Sequence, residues 1–210
     1  MARPNVEEAA AALYDPALPY HNFGHALSVA EEGKRLVSRC RAAGIAIDAD
    51  VVHYACLLHD AGYRENHAAR GFESKEAYSA QLAAEVLDRC GVDRRIAAAV
   101  GEAILSTHCD ARCASVEARA VRAADLSGLG GEFASFRNDA LKLKREHEIM
   151  TGAGVSWDNW REDACRRIAS FLRERLDLTP ADVDASGESV LAVRARANMD
   201  RLLAEPRTPG

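Results

Sequence analysis

Aromatic residues make up only 6% of this 210-residue chain, so its core has to be built mostly from Ala, Leu, Val and Ile, a palette that favours helices. Positive charge is not in excess either. The 27 Lys and Arg against 32 Asp and Glu leave a net charge of −5 and a pI near 5.8, which argues against a general nucleic-acid or membrane surface but leaves room for a local basic pocket for phosphate. No apolar run approaches the length of a bilayer span, and the opening MARPNVEEAAAALYD has no apolar centre followed by a small-residue cleavage site. These absences predict a soluble, cytoplasmic protein that acts on small molecules and does not engage membranes. Paired cysteine spacings are missing too. Cys40, Cys56, Cys90, Cys109, Cys113 and Cys165 are scattered, and the Cys109-x-x-x-Cys113 spacing beside His108 has no second pair to complete a structural zinc site. Reduced thiols, most of them small core residues, are the expectation.

There is no internal repeat and no convincing alternating strand, so the expected fold is all-α, a single-domain helical bundle, and 22.7 kDa is large enough to bury a core without disulfides. Residues 1–19 read as a lead-in, a short helix and then a stretch bracketed by Pro16 and Pro19. Apolar residues at helical spacing predict helices from about 24 to Ala43, closed by Gly44, and through VVHYACLLHD after a cap at Asp48 or Asp50. Ser74 is the expected cap of a helix to about Cys90, and Asp93 of a helix whose face continues to His108. Further helices are expected at about 115–126, from Phe133 to Met150, onward through Leu176, and over 189–204, with His147, Trp157 and Trp160 packing in or over the core. Residues 63–73 form a polar loop, and the final PRTPG is expected to be disordered.

The chemistry concentrates in YHNFGH, where His21 and His25 stand four residues apart. His25 lies one turn before Val29 on the buried side of its helix, and His59 shares a stripe with Val52, Ala55 and Cys56. Asp60 ends a buried helix, where an unpaired carboxylate is very costly and a metal ion is a fitting partner. Together His25, His59, Asp60 and Asp125 make a nitrogen and oxygen donor set suited to a divalent ion that activates water. Glu76 is a carboxylate on a mostly apolar stripe shared with Ala80, Ala83 and Leu87. Arg64 and Lys144, with Lys142 and Arg145, are candidate holders of phosphate oxygens.

The segments YHNFGHALSV, LLHDAGY, ESKEAYSAQLA, AILSTH and RAADLSGLG, in this order, resemble the HD-domain superfamily of metal-dependent phosphohydrolases. The resemblance runs over residues 20–177 and is closest to small bacterial single-domain members. It implies an HD domain at 20–178, with a C-terminal extension at 179–210 that is partly helical. It also implies that His25, His59, Asp60 and Asp125 ligate a first metal ion, with Asp60 bridging to a second where one binds. The ion is Mn, Mg, Fe, Co, Ni or Zn. YHN is similar to the opening motif of cyclic-nucleotide phosphodiesterases, which makes His21 the expected general acid. His67, Glu76 and His108 are the residues available for a second ion, and His108 is also a candidate for substrate binding.

The resulting expectation is a phosphohydrolase that attacks a small phosphate ester, a nucleotide or related metabolite, with Asp60, His21 and Glu76 in catalysis and Arg64, His108 and Lys144 on the substrate. Two other functions compete: a diiron oxygenase on the same scaffold, which needs more histidines, and a module that binds a nucleotide or a partner without turnover. Each residue also has a purely structural reading. The aspartates could cap helices, Glu76 could pair with Arg64, Arg70 or Lys75, and the lysines could lie on a solvated face. The sequence leaves the oligomeric state open and is compatible with a homodimer.

Overall fold

Helix starts are written in single side chains. Asp48 Oδ1 accepts from the Asp50 and Val51 amides at 2.9 and 3.3 Å, Ser74 Oγ from Ala77 at 3.1 Å and Asp93 Oδ1 from Arg95 at 2.8 Å, satisfying amides that the first helical turn leaves open. Helix ends are set by glycine: Gly44 takes φ 73° and Gly91 φ 70°, and Ile45 N–H then closes back on Cys40 O at 2.9 Å. The computed structural model describes residues 5–207. Its α-helices among the described residues are α1 (Val6–Ala11), α2 (Phe23–Ala42), α3 (Ala49–Leu58), α4 (Lys75–Cys90), α5 (Arg94–Leu105), α6 (Val116–Asp125), α7 (Phe133–Thr151), α8 (Trp157–Phe171) and α9 (Val190–Leu203). There is no strand among these residues beyond an isolated antiparallel bridge between Val183 and Ser189. None of the helices is long and apolar enough to cross a membrane.

The helices form two compact units, Met1–Asp125 and Leu126–Gly210. In the first unit α3 is central and packs on each of the other five helices. It buries Val51, Val52, Ala55, Cys56, Leu57 and Leu58, and each full-sized aliphatic side chain buried this way contributes about 1.5–3 kcal/mol. The α2 and α3 backbones come close at Gly33, where a Cβ would stand 3.0 Å from both Cys56 Sγ and Val52 Cγ1. The lead-in is part of this core: Leu18 is buried, and buried Tyr14 donates its hydroxyl to Leu57 O at 2.9 Å.

In the second unit, Phe136, Ala140, Cys165 and Leu202 form a core that Phe133, Trp157, Ile168 and Met199 pack against. Trp160 donates its indole N–H to Ala140 O at 2.8 Å, and His147 lies against its ring at 5.4 Å between centroids. Asn198 Nδ2 donates to Leu129 O and Gly131 O, each at 2.9 Å, fixing the Gly-rich turn against α9.

Three sequence readings change. α5 ends at Leu105, before His108, because the Ser106 and Thr107 hydroxyls donate to the Ala103 and Ile104 carbonyls at 2.6 and 2.7 Å and draw the chain into a turn. α8 ends at Phe171 and not Leu176, because Asp182 Oδ2 takes the Leu178 and Thr179 amides and Arg175 donates to Gly187 O. The polar loop 63–73 contains a 3₁₀ turn at Ala68–Arg70. Within the final PRTPG, residues 208–210 lie outside the described residues, as do residues 1–4 of the lead-in.

Candidate metal centre

Asn22, the third residue of the YHN motif, starts the site. Its oxygen caps α2, accepting from the amides of Gly24 at 2.9 Å and His25 at 3.3 Å, while its amide donates to Leu18 O at 2.9 Å. His25 is thereby held in the first turn of α2. At the same end of the α2 and α3 pair, His59 forms the C-cap of α3, its ring 5.4 Å from that of His25, and its Nδ1 bonds to Cys56 O at 2.9 Å. A carbonyl can only accept, so Nδ1 carries the proton and the Nε2 lone pair is left for a cation. After Asp60 the chain turns sharply at Gly62, whose amide donates to Ser79 Oγ at 3.1 Å, and a Cβ there would stand 2.4 Å from the Tyr78 ring.

The four predicted ligands converge. His59 Nε2 lies 3.0 Å from Asp60 Oδ2 and 3.3 Å from Asp125 Oδ1, and His25 Nε2 lies 3.3 Å from Asp125 Oδ1 and 3.7 Å from Asp60 Oδ2. Neither buried Nε2 makes a hydrogen bond to any described residue, and one ligand atom from each of the four residues lies within 4.8 Å of the other three. Around an ion with bonds of about 2.1 Å, neighbouring ligands stand roughly 3.0 Å apart and opposite ones roughly 4.2 Å apart. The spacings of 3.0–3.7 Å fall in that span, and the residues fit a divalent ion.

Electrostatics agree with the geometry. Both carboxylates stand at helix C-terminal ends, Asp125 on α6 and Asp60 two residues beyond α3, where the helix dipole is negative and an anion is unfavourable. Burial pushes the Asp60 carboxyl up, but the His59 and His21 charges outweigh it and hold the pKa below the usual range. Burial acts on Asp125 in the same way, and His59 and His25 hold it well down. Burial would lower His59, yet Asp60 and Asp125 raise it well above its ordinary value. Two ionised carboxylates facing an imidazole that retains a proton make a pocket for positive charge, and a cation can take that proton's place.

Around this centre, His21 Nε2 lies 4.0 Å from Asp60 Oδ2, and the Tyr63 ring stacks on His21 at 3.6 Å. Lys75 Nζ stands 3.5 Å above the Tyr63 ring. Tyr63, Lys75 and the buried Tyr14 carry no spacing signal; only the tertiary contacts reveal them. The other sequence candidates do not join the four ligands. Arg64 pairs with Asp15 at 3.6 Å and Lys144 with Glu148 at 2.5 Å on α7 of the second unit. Glu76 sits in the first turn of α4, His67 precedes the 3₁₀ turn, and His108 gathers with Cys109 and Asp110 instead.

The HD domain family model matches residues 22–127, and the chain belongs to that family. The match ends within two residues of Asp125, the last of the four ligands and of the first unit. HD domains bind divalent metals and are typically metal-dependent hydrolases. No curated protein sequence matches the chain.

Proposed function

We propose that this protein hydrolyses a small phosphate ester, with nucleotides and related metabolites as the first class to test. The observation that carries the reading is the pair of buried imidazole Nε2 atoms, on His25 and His59, that face two ionised carboxylates and have no hydrogen bond of their own. A divalent ion held by His25, His59, Asp60 and Asp125 would supply a Lewis acid for phosphoryl oxygens and lower the pKa of a bound water. Asp60 and Asp125 are the more open members, with side chains 18% and 21% exposed against 1% for His59, so the phosphate approaches on the carboxylate side. His21, with Nε2 4.0 Å from Asp60 Oδ2, would give a proton to the leaving oxygen. Tyr63 and Lys75 stack behind His21 and hold its ring in place. Arg64, Glu76, His108 and Lys144 have weaker support, since two are already paired and none joins the ligand cluster.

The diiron oxygenase reading asks for several further nitrogen ligands; the His21 imidazole adjoins Asp60 at 4.0 Å, while His67 and His108 do not join the four-residue cluster. The test is elemental analysis of wild type and Asp60→Ala purified without chelator, followed by a phosphate-release screen with Mn, Mg, Co, Ni and Fe. Metal retained by wild type and lost in the variant, with metal-dependent phosphate release, is the expected result. Wild type that holds metal but stays inert toward every phosphate ester would overturn the hydrolase reading and favour the binding module.

A further inference from the structure

A second set of donors gathers on the turn that follows α5. His108, Cys109 and Asp110 each present one ligand atom, and these atoms lie within 4.8 Å of one another. Side chains of consecutive residues usually diverge. Here Ala111 N–H closes on His108 O at 3.0 Å, and the Asp110 amide donates to His108 Nδ1 at 3.3 Å, so all three side chains are gathered over one turn. The backbone of that turn is pinned from inside. Arg122 of α6, 1% exposed, donates to Cys109 O at 3.0 Å, Ala111 O at 2.7 Å and Ser106 O at 3.4 Å. Burying a guanidinium is costly, and this one holds the segment that carries the three donors.

We propose that His108, Cys109 and Asp110 bind a thiophilic divalent ion, zinc by its donor set, at a site chemically separate from the four-ligand centre. Imidazole, thiolate and carboxylate form the mixed N, S and O set that zinc accepts, and the two anions balance its charge. Donors on a tetrahedral zinc stand roughly 3.3–3.7 Å apart, so side-chain torsions have to draw the present donors, all within 4.8 Å of one another, in by at most about 1.5 Å while the pinned backbone stays in place. The His108 lone pair lies on Nδ1, the atom that accepts the Asp110 amide, so binding exchanges that long contact for a coordinate bond. Cys109 gives up its thiol proton to solvent. Asp110 is exposed and the other two are partly exposed, so the ion exchanges with solvent without unfolding and a water can fill the fourth position.

Sulfur makes the test specific. None of the four ligands in the first centre has sulfur, and Cys40, Cys56, Cys90 and Cys165 are buried. A sulfur-to-cobalt charge-transfer band in the near ultraviolet therefore reports on Cys109 or on the other partly exposed thiol, Cys113, and the two serine variants tell them apart. Reduced protein titrated with cobalt(II) is expected to develop the band in wild type, Asp60→Ala and Cys113→Ser, to lose it in Cys109→Ser, and to lose it again when zinc is added. His108→Gln is expected to need at least about tenfold more cobalt, a loss that even an outer-sphere partner can cause, and it provides a second readout should Cys109→Ser misfold. No band in reduced wild type, or a band that survives Cys109→Ser, would overturn the assignment. Asp60→Ala separates the two sites, since it empties the first centre and leaves this band in place.

Discussion

Asn22→Ala tests whether the YHN motif builds the site through the backbone. The Asn22 oxygen caps two amides of α2, at 2.9 and 3.3 Å, and its amide holds Leu18 O at 2.9 Å. Loss of such a cap costs about 1 kcal/mol, and loss of the hydrogen bond to Leu18 about 1 kcal/mol more. The expected destabilisation is therefore about 2 kcal/mol, or about 4–8 °C in Tm for a chain of this size. Urea unfolding in the presence of EDTA measures this without contribution from metal. Asn22→Asp keeps the acceptor and loses the donor, so it should recover about half of the deficit. Because His25 sits on the capped turn, Asn22→Ala should also weaken metal binding, read by titration. An alanine variant as stable as wild type in EDTA, or an aspartate variant no better than alanine, would refute the reasoning.

Other outcomes follow from the same geometry. Gly62→Ala places a methyl 2.4 Å from the Tyr78 ring, and overpacking of this kind costs about 1–3 kcal/mol; Tyr78→Leu in the same chain should restore most of it, as a double-mutant cycle in urea would show. A metal ion at a hundred times its Kd should raise stability by about 2.7 kcal/mol, and Asp125→Asn should abolish that increment in thermal melts with and without EDTA. Burial, followed by the charge of Lys34, holds the His53 pKa below its usual value. As pH falls through about 6.5 the unfolded chain takes up a proton that folded His53 refuses, so stability is lost on the acid side. Unfolding of His53→Gln in EDTA should show a smaller loss than wild type between neutral pH and the depressed folded pKa, and equal losses would contradict the assignment.

The sequence by itself determined where most helices lie and which four side chains meet in the candidate metal centre. Asp48, Ser74 and Asp93 cap helices through bonds that reach only two or three residues along the chain, so local text is enough to find them. These four residues are legible because a buried carboxylate at a helix end is unfavourable without a cation, and Asp60 and Asp125 are two such carboxylates in the company of His25 and His59. Tertiary structure decided the rest. Tyr14 reaches Leu57 across 43 positions, Tyr63 and Lys75 stack behind His21, and Arg122 gathers the carbonyls of a turn 11–16 residues earlier. No periodicity encodes which distant partner a side chain will meet. The same limit redirected Arg64 to Asp15, Lys144 to Glu148 and His108 to Cys109 and Asp110, because a charge or donor goes to the nearest partner in space, and only the packed helices fix which one that is.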